Sequence, residues 1–199
     1  MSSPMIADAD VSPEIVRSFA AHMEREIGAT IQGPPVPGYL RAYVSIMGGD
    51  PSRYALTLGR SVYLPVPIGP TAPGWSGWSQ IVTITHECQH VLQGQHRSMI
   101  ERAIDYATST ARRTQTETEC LAAEMELELW RRGVIEPWWF SSRAMSLGGY
   151  HVSAVDLAVA ERHLCALAPT VRRSGYVTHA GRVAIRWLNL NARELRARA

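Results

Sequence analysis

Two stretches of proline and glycine set the outline of this chain before any other signal is read. Residues 33–38 (Gly-Pro-Pro-Val-Pro-Gly) can join neither a helix nor a central strand, because proline lacks the N–H that both require. Residues 65–77 hold four prolines and three glycines and read as a loop. Regular structure ahead of residue 78 is therefore confined to short pieces. Ser12 followed by Pro13 starts a helix, Ile15, Phe19, Met23 and Ile27 share its apolar stripe, and Gly28 stops it. Between the two stiff segments, runs at 53–58 and 61–64 are rich in β-formers. Gly59-Arg60 separates them, as in a tight hairpin.

After the second stiff segment the pattern turns helical. Ser79 is positioned to cap a helix running to about Gln93, with Gly94 as its terminator. A polar, alanine-rich stretch at 100–111 is expected to be partly helical, and a long helix is expected over 114–132, ending at Gly133. Gly148-Gly149 precede a further helix over 153–167, and 182–196 reads as a last one. No internal repeat or low-complexity linker divides the chain. A length of 199 residues, with 46% hydrophobic and 19% charged side chains, fits one folded domain. Its net charge of +2 gives no case for nucleic acid or an anionic membrane. All the basic side chains are arginine.

Three cysteines, Cys88, Cys120 and Cys165, are widely spaced and do not form a disulfide framework. The N-terminus is polar and acidic, without the basic-then-apolar run of a secretory signal, and no apolar stretch is long enough to span a bilayer. The expected location is the cytoplasm. Association with a virion would leave the same sequence.

The helix after residue 78 carries His86-Glu87-Cys88-Gln89-His90. With Ile81 as the zero of a helical wheel, Ile84, Thr85, Cys88 and Leu92 cluster near it as the buried stripe. His86 and His90 fall roughly opposite, at about 140° and 180°. Histidines at i and i+4 share a face, one turn apart, and two imidazoles can converge on one ion. Glu87 stands beside that face, where a carboxylate can take a proton from a metal-activated water as general base. A catalytic zinc takes three protein ligands, so a third must come from elsewhere. The candidates are the glutamates of 116–128. Glu117, Glu124 and Glu128 share one stripe, with Glu119 and Glu126 on the opposite one, and periodicity does not choose between them.

His86-Glu87-x-x-His90, followed some way on by Glu117-Thr118-Glu119-Cys120, resembles the gluzincins, zinc peptidases whose third ligand is a glutamate. The layout is most similar to the ImmA/IrrE-like family of small cytoplasmic and phage-associated metallopeptidases. That resemblance implies zinc as the cofactor and a peptide or protein as the substrate. It makes Glu117 the third ligand, with Cys120, Ala122 and Ala123 as packing positions. The chain departs from the family pattern at Leu121, where a polar residue is usual, and no Asn or Asp follows the glutamate. Gluzincins use a Tyr, His or Arg from the C-terminal half to steady the oxyanion, and Tyr150 and His151 are the candidates here. Zincins also run an edge strand along the cleft, a role that falls on residues 61–64.

The expected architecture is α+β: a helix-dominated, minimal zincin-like single domain over 1–199 with a small β-hairpin before the metal helix. Its N-terminal lobe runs to about residue 95, and the C-terminal lobe follows. The rival reading is a catalytically weak or inactive zincin-fold structural or interaction protein, phage-related by its family likeness. A DNA-linked regulator is a weaker rival, since no helix-turn-helix pattern is evident. His22, His163 and His179 are isolated, Cys88 reads as a small buried hydrophobe, and Trp138-Trp139-Phe140 reads as a core plug or a partner contact.

Overall fold

The computed structural model describes residues 11–46, 50, 54–95, 108–150 and 152–196. Seven helices dominate these residues: α1 (Pro13–Ile27), α2 (Gly38–Ile46), α3 (Gly77–Gly94), α4 (Thr110–Arg132), α5 (Pro137–Ser146), α6 (Ala154–Ser174) and α7 (His179–Asn191). Short 3-10 turns occupy Leu147–Tyr150 and Arg193–Leu195. Three strands, β1 (Thr30–Gln32), β2 (Leu56–Leu58) and β3 (Ser61–Tyr63), make one small sheet. The α+β, helix-dominated class is as expected. Among the described residues, no helix is long and apolar enough to cross a membrane.

Helix boundaries follow the caps. The Ser12 hydroxyl accepts from Ile15 N at 3.3 Å, and Gly28 takes the left-handed conformation at φ 72° that closes α1. α4 begins at Thr110, capped by Ser109, rather than at 114, and Gly133 closes it as expected. α3 starts earlier than the sequence implied: Ser76, not Ser79, is the cap, its hydroxyl accepting from Ser79 N at 3.0 Å. α6 runs through Pro169 to Ser174, past the expected end at 167. Burial of Ala168 and Val171 in the core offsets the one helical hydrogen bond that the proline removes. Most of the stretch at 100–111 lies outside the described residues.

The hairpin forms with Leu58 opposite Ser61, and Gly59 supplies the positive φ of 61° that its tight turn needs. The sequence did not reveal β1, which pairs in parallel with β3. Strand order is β1-β3-β2, so residues 61–63 form the central strand, flanked on both sides. The edge-strand role assigned to 61–64 is therefore wrong, and β2 is the edge on the α3 side. In a two-residue hairpin the pair beside the loop exchanges main-chain hydrogen bonds and the next pair does not. Leu58 and Ser61 are the first pair, Thr57 and Val62 the second. The N–H and C=O of Thr57 thus face away from β3, along the outer rim of the sheet.

Two apolar clusters make the core. One gathers α1, the sheet, α3 and α7 around Phe19, Met23, Ile81, Ile84 and Leu188. The other fills the space among α4, α5 and α6 around Met125, Leu164 and Phe140. α4 belongs to both, giving Leu127 and Trp130 to the first and Leu121, Met125 and Leu129 to the second. Its residues are buried without a break from Cys120 to Arg131.

A helix covered on all sides cannot leave its glutamates in water, so each must find a partner. Glu128 accepts from Trp78 Nε1 at 2.9 Å and pairs with Arg132 at 2.8 Å. Trp78 also stacks on Trp130, and the Arg131 guanidinium lies 4.5 Å from its ring centre, fixing α3 against α4. Glu126 accepts from the N–H groups of Val177 and Thr178 and from the Thr178 hydroxyl, at 2.7–2.8 Å, beneath the first turn of α7. Gln89 of α3 reaches the same turn by accepting from Ala180 N at 3.2 Å. The loop before α3 is pinned by buried Gln80, which accepts from Gly69 N and donates to Pro70 O, both at 2.8 Å.

Candidate metal centre

The buried face of α3 is as the wheel predicts, with Ile81, Ile84, Thr85 and Cys88 fully enclosed. The opposite face is largely shielded from solvent. α4 covers it, so His86 and His90 stand between the two helices with side chains only 12% exposed. Their ring centres lie 5.0 Å apart.

Each imidazole is held from behind through Nδ1. His86 Nδ1 meets Glu124 Oε1 at 2.7 Å, and His90 Nδ1 meets Gln93 Oε1 at 3.0 Å. A carboxylate and an amide oxygen can only accept, so both Nδ1 atoms donate and each neutral ring carries its lone pair on Nε2. Both Nε2 atoms look toward one oxygen, Glu117 Oε2, at 3.6 Å from His86 and 3.4 Å from His90. Those separations exceed the 2.7–2.9 Å of a direct charge-assisted hydrogen bond. They match the roughly 3.4 Å edge of a tetrahedron whose centre lies about 2.1 Å from each corner, as around zinc. Two of the three edges among these donors therefore have the length that a small divalent cation requires.

The carboxylates make this buried site attractive to positive charge. Burial works against charge on both imidazoles, yet Glu117 and Glu124 hold the His86 pKa well above the ordinary value, and Glu117 raises that of His90. Burial likewise opposes charge on Glu117, but the two histidines outweigh it and keep the carboxyl far below the usual range. Glu124 is also lowered: burial opposes its charge, and His86 and Arg143 more than compensate. Two cation-seeking rings and a carboxylate are gathered where each alone would be costly.

A second donor set overlaps the first. His86, His90 and Cys120 have donor atoms within 4.8 Å of one another, and this group could hold a metal ion. Cys120 Sγ, however, lies 3.3 Å from His90 Nδ1, the nitrogen that Gln93 already engages, and burial pushes its thiol well above the ordinary pKa. Glu117 instead faces the Nε2 side of both rings.

The other glutamates singled out by the sequence have distinct places. Glu124 backs His86, and Glu119 accepts from Gln93 Nε2 at 2.8 Å, one step behind His90. Glu87 is buried, and its Oε2 accepts from the Thr57 hydroxyl at 2.6 Å, which ties the candidate general base to the edge strand. Tyr150 ends the 3-10 turn after α5; its side chain and the whole of His151 lie outside the described residues.

Sequence reasoning missed Thr57, Gln93 and Arg143. Gln93 had a legible signal, since position i+3 from a helical histidine lies over the same face. Thr57 and Arg143 arrive from other elements and left none. Trp139 and Phe140 are buried in edge contact, as a core plug would be, and Trp138 is 64% exposed. No protein-family model, curated protein or solved structure matches the chain.

Proposed function

We propose that this protein is a zinc-dependent hydrolase acting on peptide or similar amide bonds, with His86, His90 and Glu117 as the metal ligands and Glu87 as general base. One observation carries the reading: a single carboxylate oxygen stands 3.4–3.6 Å from two Nε2 atoms whose rings are both anchored through Nδ1. Zinc held there supplies Lewis acidity toward a carbonyl oxygen and toward water. Glu87 follows His86 directly in the helix, so its carboxylate can receive the water proton and pass it to the leaving amine. The Thr57 hydroxyl keeps that carboxylate in one rotamer. The outward N–H and C=O of Thr57 offer main-chain partners to an extended substrate laid along β2.

The Glu117 set is favoured over the Cys120 set because metal at Nε2 leaves the Nδ1 hydrogen bonds intact, whereas a thiolate beside His90 Nδ1 displaces one of them.

The test is zinc analysis of purified wild type, Glu117→Ala and Glu87→Gln, together with cleavage of an unfolded protein substrate. Wild type and Glu87→Gln are expected to hold one zinc per chain and Glu117→Ala to lose it. Glu87→Gln should cut at least about 100-fold more slowly. Full zinc in Glu117→Ala would remove Glu117 as a ligand. Equal background cleavage by wild type and Glu87→Gln would leave a metal-binding interaction protein without turnover.

A further inference from the structure

Gln93 has one acceptor oxygen and two N–H donors, and the structure accounts for all three. Its Nε2 donates to Thr116 O at 3.0 Å and to Glu119 Oε2 at 2.8 Å, while its Oε1 faces His90 Nδ1. Turning the amide over would set its oxygen against two groups that can only accept, and its NH2 against His90. The amide therefore has one allowed orientation, and Glu119 supplies half of the reason.

We propose that Glu119 is a positioning residue for the metal centre, selecting the Nδ1–H tautomer of His90 through Gln93 without approaching the cation itself. The inference rests on the reading that His90 binds metal through Nε2. With Gln93 locked, Nδ1 must donate and Nε2 presents its lone pair beside Glu117. Without Glu119, only Thr116 O and the weak thiol donor of Cys120, 3.7 Å from Gln93 Oε1, oppose rotation of the amide. A turned amide offers N–H to Nδ1, moves the ring proton to Nε2 and blocks coordination.

The two histidines are thereby oriented by different means. His86 rests directly on a carboxylate, Glu124, whereas His90 rests on a neutral amide that is itself oriented by a carboxylate. The intervening amide places negative charge one residue further from a site that already holds Glu117 and Glu87.

Zinc affinity, by competition with a chelator, is to be measured for wild type, Glu119→Gln, Glu119→Ala, Gln93→Ala and the Glu119→Ala/Gln93→Ala double variant. The His90 tautomer is to be read by 15N NMR of the metal-free proteins at a pH where the ring is neutral. Glu119→Gln still offers a carbonyl to Gln93 and should behave as wild type. Glu119→Ala should bind zinc about tenfold more weakly and shift His90 toward the Nε2–H form. In the Gln93→Ala background, removing Glu119 should change nothing more. Unchanged tautomer and affinity in Glu119→Ala would overturn the proposal, as would a full additional loss in the double variant. A wild type that binds no zinc, yet shows the tautomer shift on loss of Glu119, would uphold the lock and instead remove the zinc reading.

Discussion

His86 and Glu124 meet across the contact of α3 with α4, Nδ1 to Oε1 at 2.7 Å, and the other Glu124 oxygen lies 3.3 Å from Nε of Arg143 on α5. Three helices are thus joined in one line that ends at a candidate ligand. Glu124→Ala is expected to weaken zinc binding by about 10- to 100-fold, the usual cost of losing a partner behind a ligating histidine. Arg143 is partly exposed, and exposed ion pairs contribute little, so Arg143→Ala should cost less than tenfold. Chelator competition measures both, and an Arg143 effect as large as that of Glu124 would contradict the order.

Thr57 gives a prediction separable from metal binding. Valine keeps its shape and removes the hydroxyl that Glu87 accepts. A hydrogen bond to a charged group contributes about 1.5–3 kcal/mol, so Thr57→Val should lower turnover by about tenfold or more while zinc content stays whole. Thr57→Ser should restore most of it. A Thr57→Val protein that turns over as fast as wild type would detach this hydroxyl from the chemistry.

Glu126 predicts a pH dependence of stability. Burial pushes its pKa up to about 7 from 4.5, against three donors that pull the other way. Between those values the folded chain keeps a proton that the unfolded chain releases. Its contribution is therefore full below the unfolded value and is lost as pH rises through 7. Glu126→Gln cannot release that proton. In denaturant titrations with metal chelated, wild type should lose on the order of 2–3 kcal/mol more than Glu126→Gln from pH 4.5 to 8. Parallel pH profiles for the two proteins would refute this.

Two glycines are fixed by space. A Cβ at Gly181 would collide with the Glu126 carboxylate that three hydrogen bonds hold in place. At Gly77 it would come within 2.6 Å of the Val11 carbonyl oxygen. Each alanine substitution should cost on the order of 1–3 kcal/mol. Alanine at Gly38, where a Cβ meets nothing within 4 Å, should be neutral or better in the same urea titrations.

Much of the helix layout was legible because local chemistry sets it. Ser12-Pro13 and Gly28 frame α1, and Gly133 closes α4, whatever the rest of the chain does. The pairing of His86 with His90 follows from helical spacing alone. β1 was not legible: three residues carry too little pattern, and their partner strand lies some thirty positions on. Missing it turned the central strand into an edge. The glutamates of α4 resisted for another reason. A wheel separates a wet face from a dry one, and this helix has no wet face over the length that matters, because three neighbours cover it. Which carboxylate meets which partner is decided by docking, information that no single helix contains.

The first turn of α7 is fastened twice, by Gln89 from the histidine helix and by Glu126 from the glutamate helix. The C-terminal segment therefore works as a clasp across both halves of the candidate centre, although it donates no atom to it. Cutting the chain after Gly175 would spare every candidate ligand and still let the two jaws drift apart.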